Sequence, residues 1–364
     1  MGSGDGLAAH LAGRSVVICV GAGGVGKTTT SAALALGLAR GGRKVAVVTI
    51  DPARRLATAL GLDRLSDEPH RIADADSGDG ELWAMMLDPK RALDGAIARL
   101  APDEQARAEI IGNAIYRELS GAVAGSQELS AIVKLYELHE EHDFDVLVLD
   151  TPPSRNALDF LDAPARLLGF LEGRALQIFL APSGLTARVF GRGSALLFGI
   201  FARVTGVDLL ADLSTFFASM STVLDGFGER TRRVEALLRE PSTAFVIVTS
   251  PEAEPAREAV FLARRLAQAK MGAPRLVVNR FQAPVLDGVG ADRLAAVLSA
   301  RLGAELGGRI ARSAAATEQL ALRDRRSVER LSAQIGGDPV LVPQLAHEVQ
   351  DLDGLAEVAA LLFA

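Results

Sequence analysis

The chain has 364 residues, of which 49% are hydrophobic and 23% are charged. This composition supplies a large apolar core and excludes a disordered chain. The net charge of −6 argues against a protein that coats nucleic acid, because such a protein needs a basic face. The single cysteine excludes an internal disulfide framework.

Short runs rich in valine and isoleucine alternate with helical patterns along the chain. These runs predict strands at Ser15–Val20, Val45–Ile50, Leu82–Leu87, Val146–Leu149, Ala244–Thr249, Leu276–Asn279 and Val340–Val342. Near-continuous apolar runs are typical of strands that are buried on both faces of a parallel sheet. The predicted fold class is therefore α/β, with a mostly parallel central sheet flanked by helices.

Two gaps between predicted strands, Leu87 to Val146 and Leu149 to Ala244, are far longer than a parallel crossover needs. We expect both gaps to hold additional helices. The predicted organisation is a single domain over residues 1–364, with a helical subdomain formed by insertions at about 90–142 and 165–238.

A glycine-rich segment, GAGGVGKTT at residues 21–29, lies between the first predicted strand and a predicted helix at Thr28–Arg40. It matches G-x-x-x-x-G-K-[ST] in the required context and predicts a phosphate-binding loop. Glycines let backbone N–H groups approach phosphate oxygens, and a helix N-terminus favours anions. Lys27 is expected to reach the β and γ phosphates and Thr28 to ligate Mg²⁺. The predicted nucleotide-binding residues are Gly23, Gly24, Val25, Gly26, Lys27, Thr28 and Thr29.

Two carboxylates follow predicted strands, where α/β proteins bind ligands. Asp150 follows a buried apolar run and is predicted to hold Mg²⁺ together with Thr28. Asp51 is predicted to orient the attacking water and forms the catalytic pair with Lys27. An alternative for Asp51 is a helix N-cap, with Pro52 at the first helical position.

The glycine-rich segment resembles the phosphate loop of the MinD/ParA/nitrogenase-iron-protein superfamily. Asp51-Pro52-Ala53 and residues 150–164, DTPPSRNALDFLDAP, closely resemble the two switch regions of the arsenite-pump ATPase and tail-anchored-protein-targeting ATPase family. Segments at Pro251, Asn279 and Pro343 follow in family order, so the resemblance covers nearly the whole chain. It implies a P-loop NTPase fold and a dimeric ATPase that uses ATP and Mg²⁺ as cofactors.

The resemblance also implies that Asn279 and Pro343 bind the adenine. A cap on a strand end remains the alternative for Asn279. One position departs from the superfamily pattern: Ala22 stands where a signature lysine normally reaches the nucleotide of the partner subunit. The expected partner is therefore a second copy or a lysine-bearing paralogue. With a paralogue, the chain could be a weakly hydrolysing or non-hydrolysing regulatory subunit; a partition-type ATPase is a third hypothesis.

The second insertion carries apolar residues at helical spacing: Leu209, Leu213, Phe216, Met220, Val223 and Phe227. Either this stripe is ordinary core, or it lines a groove for a hydrophobic client helix or a membrane partner. Metalloid capture needs clustered thiolates, and the chain offers Cys19 alone. We therefore expect an ATPase that acts on membrane-protein clients or a membrane partner. We expect it to be cytoplasmic, with a peripheral membrane association left open.

Overall fold

The computed structural model describes residues 6–50, 55–75, 79–113, 116, 126–151, 168–169, 209–286 and 288–364. The described residues within Met1–Met86, Asp143–Leu158 and Arg239–Ala364 form one compact unit, here called the sheet unit. Those within Leu87–His142 and Asp159–Leu238 form a second, here called the helical unit.

The sheet unit contains an eight-stranded sheet in the order β3-β4-β2-β5-β1-β6-β7-β8. The strands are β1 (Val16–Val20), β2 (Lys44–Thr49), β3 (His70–Arg71), β4 (Glu81–Met86), β5 (Val146–Asp150), β6 (Thr243–Thr249), β7 (Arg275–Phe281) and β8 (Val340–Pro343). All neighbouring pairs are parallel except β3 and β4. This confirms the predicted α/β class with a mostly parallel sheet.

Each predicted strand is present, with boundaries close to the predicted ones. Every residue of β1, β5 and β6 is buried, as expected for strands covered on both faces. The strand that sequence reasoning missed is β3, which contains the two exposed polar residues His70 and Arg71 at the sheet edge. It carries no apolar alternation to reveal it.

The described helices are α1 (Leu7–Leu11), α2 (Lys27–Arg40), α3 (Arg55–Ala59), α4 (Pro89–Leu100), α5 (Glu104–Gly112), α6 (Ser126–Glu141), α7 (Leu209–Leu237), α8 (Ala253–Gln268), α9 (Ala291–Leu302), α10 (Ala304–Ile335) and α11 (Leu352–Leu362). A short 3₁₀ turn spans Ala73–Ala75. The predicted helix at Thr28–Arg40 is α2. Leu34 and Leu36 of α2 share one apolar cluster with Val17, Val47 and Val148 of three neighbouring strands.

The helical unit contains α4, α5, α6 and α7. Its apolar cluster consists of Ala96, Ile97, Ile110, Tyr116, Met220, Val223 and Phe227. The C-terminal part of the predicted stripe on α7 is therefore core, as Met220, Val223 and Phe227 are buried within this unit. The side chains of residues 209–219 lie outside the described part, so the N-terminal part of the stripe stays a prediction.

Helix α4 shows how its sequence sets its start. The Asp88 carboxylate accepts a hydrogen bond of 3.0 Å from the Arg91 N–H, and Pro89 occupies the first helical position. This combination satisfies a backbone donor that a helix N-terminus leaves without an intrahelical partner. Among the described helices, none is both long enough and apolar enough to cross a bilayer.

Candidate nucleotide-binding site

The loop between β1 and α2 has a backbone that its glycines permit. Gly24 and Gly26 adopt φ angles of 78° and 89°, a region that residues with a Cβ rarely enter. A Cβ on Gly26 would also collide with the side-chain amide of Asn279. The tight turn and the close approach of Asn279 therefore both depend on the absence of a side chain at Gly26.

Lys27, the first residue of α2, folds its side chain back along this loop. Its Nζ donates a hydrogen bond of 3.1 Å to the Ala22 carbonyl oxygen, and the residue is only 7% exposed. Within the described residues, no side chain caps the N-terminus of α2. A cationic group and a helix N-terminus therefore meet at one loop, an arrangement that favours a bound anion.

The carboxylate of Asp150, at the end of β5, accepts hydrogen bonds from hydroxyl groups next to the loop. Its Oδ2 accepts hydrogen bonds from Thr28 Oγ1 at 2.8 Å and from Thr49 Oγ1 at 3.0 Å. Ser31 Oγ lies 3.5 Å from Oδ1, and Asp150 has no solvent exposure. Carboxylate and hydroxyl oxygens are hard ligands that suit Mg²⁺, so this donor set fits the predicted metal.

The β5 strand is tied to β1 directly after Asp150. Thr151 donates two hydrogen bonds to the Cys19 carbonyl oxygen, from its N–H at 3.3 Å and from Oγ1 at 2.7 Å. Burial is the main reason that the pKa of the Cys19 thiol is raised from 9.0 to about 12. Cys19 is therefore an inert core thiol at neutral pH.

Asn279, near the end of β7, contacts the phosphate loop from a strand far away in sequence. Its Nδ2 donates a hydrogen bond of 2.8 Å to the Val25 carbonyl oxygen. Its Oδ1 accepts a hydrogen bond of 2.9 Å from the Arg280 N–H. The side chain therefore connects the loop to the backbone at the end of β7.

A cavity of about 360 Å³ opens at the loop. It is lined by Gly24, Gly26, Lys27, Thr28, Thr29, Arg55, Thr58, Ala59, Thr151, Arg280, Glu348, Val349 and Gln350. Its walls thus combine the glycine-rich loop with cationic side chains, as a site for a phosphorylated ligand requires. All of these residues belong to the sheet unit.

The predicted site residues fall into three groups. Gly24, Gly26, Lys27, Thr28 and Thr29 line the cavity, while Gly23 and Val25 complete the same loop. Asp150 and Asn279 support the loop through the hydrogen bonds given above. The remaining two predictions concern Asp51 and Pro343.

Pro343 ends β8, opposite Phe281 of β7, and is not among the cavity-lining residues. Asp51 lies outside the described residues, so its role stays a prediction. The predicted site residues did not include Arg55, Arg280 or the segment Glu348–Gln350, all of which line the cavity. The segment belongs to no glycine-rich or acidic motif that could have marked it.

The model of the family described as "Anion-transporting ATPase" matches residues 14–287, most of the chain. The chain belongs to this family. It is an ATPase of the arsenite-pump and GET3 type, which agrees with the resemblance found in the sequence.

Named relatives show the same relationship. The chain is 28% identical to ATPase ARSA2 of Chlamydomonas reinhardtii over 279 residues, which cover 75% of this chain and 69% of that protein. It is 27% identical to ATPase GET3 of Malassezia globosa over 269 residues, or 74% and 73% of the two chains. A putative arsenical pump-driving ATPase of Halobacterium salinarum is 30% identical over 173 residues, covering 45% of this chain and 26% of that protein.

The region matched by the family includes most residues of the candidate site. The matched residues 14–287 include the phosphate loop, Asp150 and Asn279. Glu348–Gln350, which also line the cavity, lie beyond the matched region. In the described part of the chain, no three His, Cys, Asp or Glu side chains are grouped as a metal cluster.

Proposed function

We propose that this ATPase binds ATP with Mg²⁺ in the cavity at residues 24–29. The observation that carries the proposal is the buried Asp150 carboxylate, which accepts hydrogen bonds from Thr28 and Thr49 directly beneath the glycine-rich loop. A fully buried carboxylate needs compensating partners. A site with an acid, a hydroxyl and a lysine at a loop of amides is suited to phosphoryl transfer.

Different residues of the site would bind the triphosphate, hold Mg²⁺, orient the attacking water and flank the adenine. The loop amides and Lys27 would hold the triphosphate, with Lys27 exchanging its hydrogen bond to Ala22 for one to phosphate oxygens. Thr28 and Asp150 would hold Mg²⁺, which neutralises charge on the phosphates when bound. Asp51 would orient the attacking water. Asn279 and Pro343 would flank the adenine. Asn279 Nδ2 would then donate hydrogen bonds to both the Val25 carbonyl oxygen and the base, or exchange the first for the second.

We further propose that the chain works as a dimeric switch with a membrane-protein client or a membrane partner, and not on metalloids. Loss of the γ-phosphate would remove the ligand that holds the switch segments after β2 and β5. The resemblance to the tail-anchored-protein-targeting branch supports the client. The buried Cys19 thiol, with its raised pKa, gives a soft metal ion no thiolate to bind. The helical unit is the proposed client-binding subdomain.

The experiment compares Asp51→Asn with Asp63→Asn, a control at an exposed aspartate near α3. We expect Asp51→Asn to bind ATP with wild-type affinity and to lose hydrolysis, because the amide cannot orient water as the carboxylate does. Asp63→Asn should keep both properties. Normal hydrolysis by Asp51→Asn would show that another group positions the water. Wild-type hydrolysis that survives removal of Mg²⁺ by a chelator would contradict the metal assignment.

A second candidate function rests on Ala22. This residue is 6% exposed and its carbonyl oxygen already accepts from Lys27. Alanine supplies no second cation, so a lysine-bearing paralogue could complete the site in a hetero-oligomer. Mass measurement of the complex purified from its source, with and without ATP, distinguishes the two. A paralogue in the complex, with no turnover by the isolated chain, favours the regulatory subunit; a homodimer that hydrolyses ATP excludes it.

A further inference from the structure

Arg280 occupies a position at the cavity that the phosphate loop motif does not account for. It directly follows Asn279 in β7 and lines the same cavity as Lys27. Glu348 and Gln350 line this cavity as well. Arg280 is exposed, so its guanidinium belongs to the surface of the cavity and not to the core.

The backbone of Arg280 adopts an unusual conformation. Its φ angle is +58°, in the left-handed region that residues other than glycine and asparagine rarely enter. The conformation is held by the Asn279 side chain, since Oδ1 accepts the Arg280 N–H while Nδ2 donates to Val25. One amide side chain therefore links the backbone of Arg280 to the phosphate loop. Such strained residues are enriched at ligand sites.

The chain beyond Arg280 is anchored as well. The Gln282 N–H donates a hydrogen bond of 3.1 Å to Asp324 Oδ2, and Asp324 of α10 is only 3% exposed. The Gln344 N–H donates to the Phe281 carbonyl oxygen at 2.9 Å. Arg280 thus lies between two fixed points, Asn279 and the Phe281–Gln282 pair. Its place at the cavity is built into the fold.

The charges of the cavity indicate what Arg280 meets. The cationic lining residues are Lys27, Arg55 and Arg280, and the carboxylate is Glu348. A triphosphate carries several negative charges, and a guanidinium can bind two phosphate oxygens at once. We infer that Arg280 binds the phosphate groups of the nucleotide. The inference rests on the proposed function and adds a binding residue to the same site.

The test uses the full chain with Mg²⁺ and measures equilibrium binding of ATP and ADP over a range of salt concentrations. Arg280→Ala should weaken both nucleotides by roughly tenfold, and Arg280→Lys by less. The affinity of the alanine variant should also fall less steeply with salt, because one screened charge contact is gone. Arg309→Ala, at an exposed arginine of α10, makes the same charge change away from the cavity and should leave affinity unchanged.

Arg280→Gly separates the side chain from the backbone. Glycine accepts a positive φ, so this variant should raise the melting temperature of the nucleotide-free protein while weakening ATP as much as alanine does. Wild-type affinity in either variant, or equal losses in Arg309→Ala, would overturn the inference. Weakened binding with an unchanged salt dependence would indicate stacking on the base and would also overturn it. If the wild-type chain binds no ATP, the proposed function itself fails.

Discussion

The sheet unit and the helical unit bury different kinds of side chain. In the sheet unit, the buried polar side chains include Lys27, the first residue of α2, and Thr49 and Asp150 at strand ends. In the described part of the helical unit, the buried polar side chains are Tyr116, whose hydroxyl donates to Asp94, and Thr231, whose hydroxyl donates to the Phe227 carbonyl oxygen in its own helix. Burying a charge is costly unless it is compensated. The sheet unit buries the charged Lys27 and Asp150 at the candidate site, whereas the buried side chains described in the helical unit are uncharged.

This difference predicts that mutations in the two units will separate function from stability. A substitution of Lys27 in the sheet unit should change nucleotide binding more than folding. A substitution of a buried apolar residue in the helical unit should do the opposite.

Lys27→Ala should abolish most nucleotide binding while the protein remains folded. The variant removes the ammonium group at the loop. Loss of the charge-assisted contact between this group and the phosphates should lower the affinity for ATP by roughly 100-fold. Binding is measured by calorimetry and folding by thermal unfolding. Lys90→Ala is the matched control, as Lys90 lies in the helical unit and pairs with Asp94 at an exposed site. Tight ATP binding by Lys27→Ala would show that the loop is not the nucleotide-binding site.

Phe227→Ala should destabilise the helical unit by about 3–5 kcal/mol, because it opens a cavity in the cluster around Ile97 and Val223. Hydrogen exchange in α4 and α5 would report the loss. Leu320→Ala, at a residue 45% exposed on α10, should cost far less. ATP affinity should stay near the wild-type value. Loss of ATP binding without loss of protection in α4 and α5 would show that mutations in the two units do not separate nucleotide binding from stability.

Thr49→Val should cost about 1–3 kcal/mol of unfolding free energy, since the fully buried Asp150 loses one of its hydroxyl donors. The shape of the side chain is preserved, so packing is little changed. Chemical denaturation measures the difference. Thr317→Val, whose hydroxyl bonds the Ser313 carbonyl oxygen at an exposed helix face, is the control. Equal stability of Thr49→Val and the wild type would show that Asp150 is compensated in another way.

His10 should make a smaller, pH-dependent contribution. Its pKa lies below 6.5 because of its burial, with the nearby Arg14 and Arg275 lowering it further. Stability linked to His10 is therefore present above about pH 6.5 and declines as the pH falls through the lowered pKa. His10→Gln should flatten the stability curve between pH 7 and pH 5. Parallel curves for variant and wild type would contradict the assignment.

Sequence patterns predicted the sheet and the loop because both depend on local signals. Continuous valine and isoleucine runs mark buried parallel strands such as β5 and β6, and the glycine spacing marks the turn before α2. The short edge strand β3 was missed because its pairing with β4 involves only two polar residues. Nothing in His70 and Arg71 themselves distinguishes a strand from a turn.

The contacts between segments distant in sequence could not be predicted in the same way. Asn279 meets Val25 only because β6 places β7 two strands from β1 in the sheet, and that order is a property of the whole fold. Glu348–Gln350 reach the cavity as part of a connection between β8 and α11, with no pattern of their own. The positive φ of Arg280 likewise appears only once Asn279 and Asp324 have fixed the neighbouring backbone.

A crystal structure grown with Mg²⁺ and a non-hydrolysable ATP analogue tests the proposed nucleotide site most directly. We expect a triphosphate in the loop at residues 24–29, with Lys27 on its terminal phosphates and the metal beside Thr28 and Asp150. An analogue bound elsewhere, or a Lys27–Ala22 hydrogen bond that persists at saturating nucleotide, would show that this loop is not the nucleotide-binding site.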